Sequence, residues 1–387
     1  MGVSIHFASH TLAKHSGRAD AEISLKYNTL RAIALEDFLR NFALYVKTLY
    51  LFKNMLESKS YLSIQRIDVK KLSLLFFSVM LIAVAFAWFL LHQKPVSLAS
   101  HKLSIVCTTG IIADAVKRVG GEAVDVEALM GPGVDPHLYH ARESDVQRLA
   151  EADIIFYNGL HLEGKMGQLL EWMGERVPTY AVSSVINPSE LRSSGFIKAY
   201  DPHIWFDIQL WMKVVEGIRD VLIKRDPGHA QLYRTNAENF LQELAALDAY
   251  THKRIAEIPE KSRILITAHD AFSYFGRAYG LKIISLQGIS TDSEVGVHDV
   301  MRVVEYIVNN DVPAIFAEAS LPRRTIDAVV QAVEVRGKTV ALGPELYSDT
   351  LGEPGTLQES YLGMVRSVVD RIVDALRGVA TPKGNPT

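Results

Sequence analysis

Residues 226–259 read DPGHAQLYRTNAENFLQELAALDAYTHKRIAEIP. Within them apolar side chains recur at Ala230, Tyr233, Ala237, Phe240, Leu241, Leu244, Leu247, Thr251, Ile255 and Ile258. That spacing of three and four is the repeat of one helix face. Asp226 is placed to cap the helix, Pro227 to occupy its first position and Pro259 to stop it. A helix over 226–258 would extend roughly 45 Å, far beyond the mean of about 11–12 residues. It is either an ordinary surface helix or a strut between two bodies.

The flanks favour the strut. Before it, short β-branched runs at 103–107, 124–129, 153–157 and 179–182 alternate with amphipathic stretches at 111–119, 144–150 and 166–174. After it, runs at 263–267, 282–286, 314–317 and 339–342 resume the pattern. Strands alternating with helices imply parallel sheets with right-handed crossovers. The expected fold is α/β in two lobes, 101–225 and 259–380, joined by the helix 226–258. Each lobe carries a mainly parallel four-stranded sheet flanked by helices.

Upstream, residues 72–91 (LSLLFFSVMLIAVAFAWFLL) contain no charge. At about 1.5 Å per residue they span a hydrocarbon core of roughly 30 Å. Residues 1–71 carry 11 Lys/Arg against 6 Asp/Glu, and Lys70 and Lys71 precede the run, so the basic side is expected to stay cytoplasmic. Ser97 and Ala99 suit cleavage after Ala99, although the run exceeds a usual signal-peptide core of about 7–15 residues. Residues 72–91 are therefore expected to act as a signal peptide or a signal anchor, the uncleaved form being held in the inner membrane. Both readings export everything from residue 100 onward, to a periplasmic or other extracytoplasmic location. Met55 is an alternative start within the basic extension.

The 387 residues are 48% hydrophobic and 22% charged, enough for a packed core. The single cysteine, Cys107, excludes an intrachain disulfide and any cysteine-based zinc or iron–sulfur site; in the first strand it reads as a buried, inert thiol. A formal net charge of -3 offers no electrostatic case for nucleic acid.

In parallel α/β sheets, ligands gather beyond the carboxyl ends of the strands. Three of the 13 histidines stand there in polar loops beside a carboxylate. His137 closes Gly-Pro-Gly-Val-Asp-Pro-His, His203 lies in Asp-Pro-His-Ile-Trp-Phe-Asp, and His269 in Ile-Thr-Ala-His-Asp-Ala-Phe directly follows a strand. Asp-Pro-His thus occurs at 135–137 and again at 201–203. Proline stiffens the backbone that displays the imidazole, and the adjacent aspartate can fix the ring tautomer. Such spacing is no local zinc signature, so the fold must assemble the site.

Those residues carry a resemblance. Residues 102–378 resemble the metal-binding proteins of manganese, zinc and iron ABC transporters, the cluster A-I solute-binding family, in its three-His-one-Asp branch. The matching text includes 131–139, Tyr157-Asn-Gly-Leu-His-Leu-Glu-Gly-Lys165, 201–207, 267–272, Phe275-Gly-Arg-Ala-Tyr-Gly280, Leu286-Gln-Gly-Ile-Ser290 and Leu346-Tyr-Ser-Asp-Thr350. The resemblance implies a metal between two lobes, held by His137, His203, His269 and Asp349. Without it, Asp349 would read as one more solvated acid. It implies a receptor that carries one divalent ion as cargo to an ABC permease.

Three imidazoles and a carboxylate suit tetrahedral Zn²⁺ at about 2.0–2.2 Å, and Mn²⁺ or Fe²⁺ if the carboxylate binds through both oxygens. The acidic His-rich loop of many zinc-specific members is missing, so all three metals stay open, with manganese or zinc ahead of iron. His140 shares a helical face with His137 if that segment is helical. His161 and Glu163 form His-x-Glu without the Pro-Cys-x-x-Cys of zinc deaminases. His298 and Asp299 stand near a helix start. Asp135, Asp201, Asp270 and Glu318 are candidates to support the ligands. The sequence lacks His-Glu-x-x-His, Gly-x-Ser-x-Gly and the phosphate-loop motif, and four protein ligands leave a metal no open position for water. The expectation is a non-enzyme. The alternatives are an exported metallohydrolase-like enzyme and a surface adhesin.

Overall fold

The computed structural model describes residues 102–193 and 199–378, with isolated helical positions between 40 and 81. Apart from those positions, the basic extension 1–71 and the apolar run 72–91 lie outside the described residues. Among the described residues no helix is long and apolar enough to cross a membrane. Lys102–Thr387 groups as one compact unit, separate from Met1–His101.

Strand β1 (Leu103–Thr109) is the spine of the first sheet. Its last five residues, Ile105 to Thr109, are all buried, as in a strand covered on both faces. It is flanked by β2 (Val124–Met130) and β3 (Ile154–Tyr157), and β4 (Thr179–Ala181) lies outside β3; the order is β2-β1-β3-β4 and every pair is parallel. Helices α1 (Gly110–Gly120), α2 (Glu143–Glu151) and α3 (Gly167–Gly174) make the crossovers. Thr109 ends β1 and caps α1 by accepting from the Ile112 N–H at 3.4 Å.

After α4 (Ile208–Arg225) comes α5 (Ala230–Ile255), the long helix expected from the periodicity. Its buried residues are Tyr233, Ala237, Phe240, Leu244, Leu247, Thr251 and Ile255, all members of the apolar series read from the sequence. The entry differs from expectation. Pro227–His229 is a separate 3₁₀ turn, and Asp226 caps no backbone with its side chain. Its carboxylate instead accepts from the Tyr233 hydroxyl at 2.6 Å and pairs with the His229 ring.

The second half is less regular than the expected four-stranded sheet. Strand β5 (Ile264–Thr267), followed by α6 (Ser273–Tyr279), pairs in parallel with β6 (Lys282–Ser285). After α7 (Val297–Asn310), β7 (Ala314–Ile315) pairs in parallel with β8 (Ala341–Leu342), across α8 (Arg324–Val335). The pairs touch where the Phe316 N–H donates to the Ile266 carbonyl at 2.9 Å. Strands β7 and β8 are only two residues long, but their pairing resumes further on, where the Leu346 N–H donates to the Ala317 carbonyl and the Ala319 N–H to the Leu346 carbonyl, both at 2.9 Å; there the buried Glu318 side chain reaches the His269 N–H.

Helix α9 (Tyr361–Leu376) packs on α5, as do α1 and α4. One apolar core therefore runs from Ile105 and Cys107 through Phe240 and Leu244 to Val365 and Val369. Cys107 is fully buried, and burial pushes its thiol pKa up, as an inert thiol requires.

Candidate metal centre

The structure brings His137, His203, His269 and Asp349 together, all buried. His137 follows β2 through a turn in which Gly133 takes φ +72°, a conformation open mainly to glycine. His203 immediately precedes a 3₁₀ turn, Ile204–Phe206, and α4 begins where Asp207 accepts from the Leu210 N–H. His269 leaves the end of β5, where the Thr267 hydroxyl donates to its carbonyl at 2.8 Å. Asp349 sits in the loop beyond β8, and the neighbouring Ser348 carbonyl accepts from the Trp205 indole at 2.9 Å.

The ligating atoms converge. Nε2 of His203 lies 3.4 Å from Nε2 of His137 and 3.3 Å from Nε2 of His269. Asp349 places Oδ1 3.4 Å from His203 Nε2 and Oδ2 3.2 Å from His269 Nε2. Ligands about 2.0–2.1 Å from a tetrahedral ion stand about 3.3–3.4 Å from one another. The spacing therefore fits a first-row divalent ion. The two Asp349 oxygens face the Nε2 atoms of His203 and His269, and a carboxylate this buried is costly unless positive charge faces it.

Two of the three rings are backed by carboxylates. Asp201 Oδ1 lies 2.8 Å from His203 Nδ1 and also accepts from the His203 N–H at 3.0 Å. Glu318 Oε1 accepts from the His269 N–H at 2.9 Å, and its Oε2 stands 2.6 Å from His269 Nδ1. A proton held on Nδ1 leaves the Nε2 lone pair for the ion. These groups also set the charges. Burial, reinforced by the neighbouring His203 and His269 and opposed by Asp349, lowers His137 to about 3. Burial also opposes charge on His203, but Asp201 and Asp349 outweigh it and push the ring up to about 9. His269 lies well above the usual histidine value, since Glu318 and Asp349 overcome its burial. Asp349 lies well below the carboxylate range, because the neighbouring His269 and His203 overcome burial. Protons on His203 and His269 thus take the cation's electrostatic place.

The remaining candidates lie elsewhere. Residues around His140 form turns, not a helix, and His140 is exposed. His161 and His298 are exposed as well. Asp299 accepts from the Gly296 N–H at the start of α7. Asp270 accepts from the Ser273 hydroxyl, a local turn contact. Glu163 is buried, its carboxylate accepting from the Asn158 and Gly159 N–H groups and the Thr108 hydroxyl. It steadies three successive left-handed residues, Gly159, Leu160 and His161, a conformation costing roughly 1–2 kcal/mol at each non-glycine position.

Sequence reasoning missed several supports. The Asn158 amide donates to the Pro202 carbonyl at 3.0 Å, next to His203. The Tyr274 hydroxyl donates to the Asp201 carbonyl at 3.1 Å, and the Tyr361 hydroxyl to the Trp205 carbonyl at 2.6 Å. Asn158 lay inside a matched motif; the two tyrosines carried no local signal.

A family model described as zinc-uptake complex component A, periplasmic, matches residues 105–375. The manganese-binding lipoprotein MntA of Bacillus subtilis (strain 168) is 45% identical over 279 residues, covering 72% of this chain and 91% of that protein. The zinc-binding protein TroA of Treponema pallidum (strain Nichols) is 44% identical over 278 residues, covering 72% and 90%. The solved structure of the periplasmic zinc-binding protein TroA from Treponema pallidum is similar with a TM-score of 0.69 at 43% identity, covering 71% of this chain and 99% of that one.

Proposed function

The chain belongs to the zinc-uptake complex component A family, and on that premise we propose that His137, His203, His269 and Asp349 hold the divalent ion it delivers to an ABC importer permease. The protein is an extracytoplasmic solute receptor and the ion is its cargo. Its family is one of substrate-binding proteins, not enzymes, and neither the hydrolase nor the adhesin alternative draws support from the relatives.

One observation supports the ligand assignment: three buried imidazoles and a buried carboxylate bring their ligating atoms within 4.8 Å of one another. Four protein ligands leave no position for an activated water, which suits carriage. The donor set accepts manganese, zinc or iron, and by the Irving–Williams order it binds manganese less tightly than zinc. Preference in a test tube therefore does not name the cargo.

The two-lobe reading, 101–225 and 259–380 about the helix 226–258, gives each lobe two ligands. Support comes from the strands, four on either side of α5 among the described residues. Residues 72–91 serve as export signal or inner-membrane anchor in the same reading, supported by their uncharged length and the preceding lysines. An anchor would keep the receptor beside its transporter at raised local concentration.

The test is metal content. The full chain is stripped with chelator, reloaded anaerobically with equimolar Mn²⁺, Zn²⁺ and Fe²⁺, and assayed for bound ions. About one ion per chain, the stoichiometry of one four-ligand site, is expected, with loss in Asp349→Ala. A chain that retains no stoichiometric metal would sink the receptor reading.

A further inference from the structure

The two Asp-Pro-His copies are used differently. Asp201 turns Oδ1 back onto the ring of its own histidine. Asp135 does not. Its Oδ1 accepts from the His137 N–H at 2.9 Å, while Oδ2 accepts from the Thr291 hydroxyl at 2.6 Å, 156 residues further along the chain. Among the described residues no carboxylate makes an ion-pair contact with the His137 ring, whereas His203 and His269 each have one on Nδ1.

The loop of His137 is thus held from outside. Thr291 is 8% exposed and follows β6. The next residue, Asp292, pairs with Lys165 of the first half at 2.8 Å, in an exposed contact. Gly133, at the base of the His137 loop, donates its N–H to the Thr350 hydroxyl at 3.1 Å. The loops beyond α5 therefore clasp the His137 loop by two hydroxyls, and one ion pair joins them to the neighbouring turn at Lys165. The Asp135 carboxylate that meets Thr291 also holds the His137 N–H across the stiff Pro136, so a turn of that carboxylate is passed to the His137 backbone.

We propose that Thr291 is a positioning residue for His137, and that parting of the Thr291–Asp135 bond opens the site for metal exchange. This deepens the metal-receptor reading and rests on it. His203 and His269 stay locked by buried carboxylates, so His137 is the ligand that departs first. A hydrogen bond from a neutral hydroxyl to a carboxylate is strong but single, which suits a contact that must break in each delivery cycle.

The experiment uses the full chain loaded with Zn²⁺ and follows release to excess chelator by stopped flow. Thr291→Val keeps the shape and removes the hydroxyl; Thr291→Ser keeps the hydroxyl. Release from Thr291→Val is expected to be about tenfold faster or more, with Thr291→Ser within about twofold of wild type, since a hydrogen bond to a charged group is being deleted or kept. Both variants still take up one equivalent of zinc, and the metal-free unfolding midpoint, expected to fall modestly in Thr291→Val as a buried hydrogen bond is lost, is measured beside the release rate. Lys165→Glu, on the exposed end of the same seam, should speed release at low salt and converge on wild type at about 0.5 M salt, where surface charges are screened. Wild-type release from Thr291→Val, equal acceleration in both Thr291 variants, or a salt-independent Lys165→Glu would each overturn the proposal. A wild-type chain that holds no stoichiometric zinc is a different failure, and it overturns the receptor reading itself.

Discussion

Nδ1 of His269 stands 2.6 Å from Oε2 of Glu318, and both side chains are completely buried. The carboxylate reaches His269 twice, since its other oxygen accepts from the His269 N–H. It fixes where the ring lies and which nitrogen faces the ion.

Glu318→Gln keeps the volume and loses the charge. Metal affinity should fall about 10–100-fold, the usual effect of removing a group that orients a ligand. Competition against a chelator of known affinity reads this directly. An unchanged constant would show that β5 alone orients His269.

Asp349→Asn removes the one anionic ligand. In the wild type, saturating zinc should raise the unfolding midpoint, because binding to the folded state alone adds about 2.7 kcal/mol at a hundredfold excess over Kd. In the variant most of that increment should vanish. A full thermal shift in Asp349→Asn would place the ion elsewhere.

Binding should release protons at neutral pH. His203, up to about 9, and His269, also raised, hold protons that the ion must displace. Affinity therefore falls as pH falls, by about tenfold per pH unit for each proton displaced. For His203 the rise continues until pH passes about 9. His137, held near 3, stays neutral across this range. Calorimetry in buffers of different ionisation enthalpy should count one to two protons per ion at pH 7. An affinity flat from pH 8 to 5 would contradict the three-histidine set.

Tyr361→Phe deletes the buried hydroxyl that donates to the Trp205 carbonyl and should cost about 1–3 kcal/mol of stability. Trp205 in turn holds Ser348, so metal affinity should weaken with it. Leu244→Ala, in the buried face of α5, should cost about 2–5 kcal/mol through the cavity it leaves without touching the site. Urea unfolding of the metal-free protein separates the pair: only Tyr361→Phe should change metal binding beyond its effect on folding.

What the sequence made legible follows range. The face of α5 was readable because its residues repeat locally, and the three histidines because each sits in a polar loop beside a carboxylate. Asp349 was different. Its place among the histidines depends on the loop beyond β8, and it was reached only through the resemblance. Thr291, Tyr274 and Tyr361 act on residues 73 to 156 positions away, and no local pattern marks them. The strands β7 and β8 are shorter than the runs 314–317 and 339–342 for the same reason: the Phe316 N–H goes to β5, and pairing with the far segment resumes only at Glu318 and Leu346.

Two of the three rings that receive the ion, His203 and His269, carry an added proton without it, and Asp201, Glu318 and Asp349 surround both arrangements. A pair of imidazolium rings and a divalent cation present the same charge to the same three carboxylates. Loading is then an exchange close to electroneutral, and the interior field of the protein barely changes between the empty and laden receptor. Such a carrier responds to acidity much more than to ionic strength. It keeps one electrostatic face toward its surroundings, so a permease must tell laden from empty by shape.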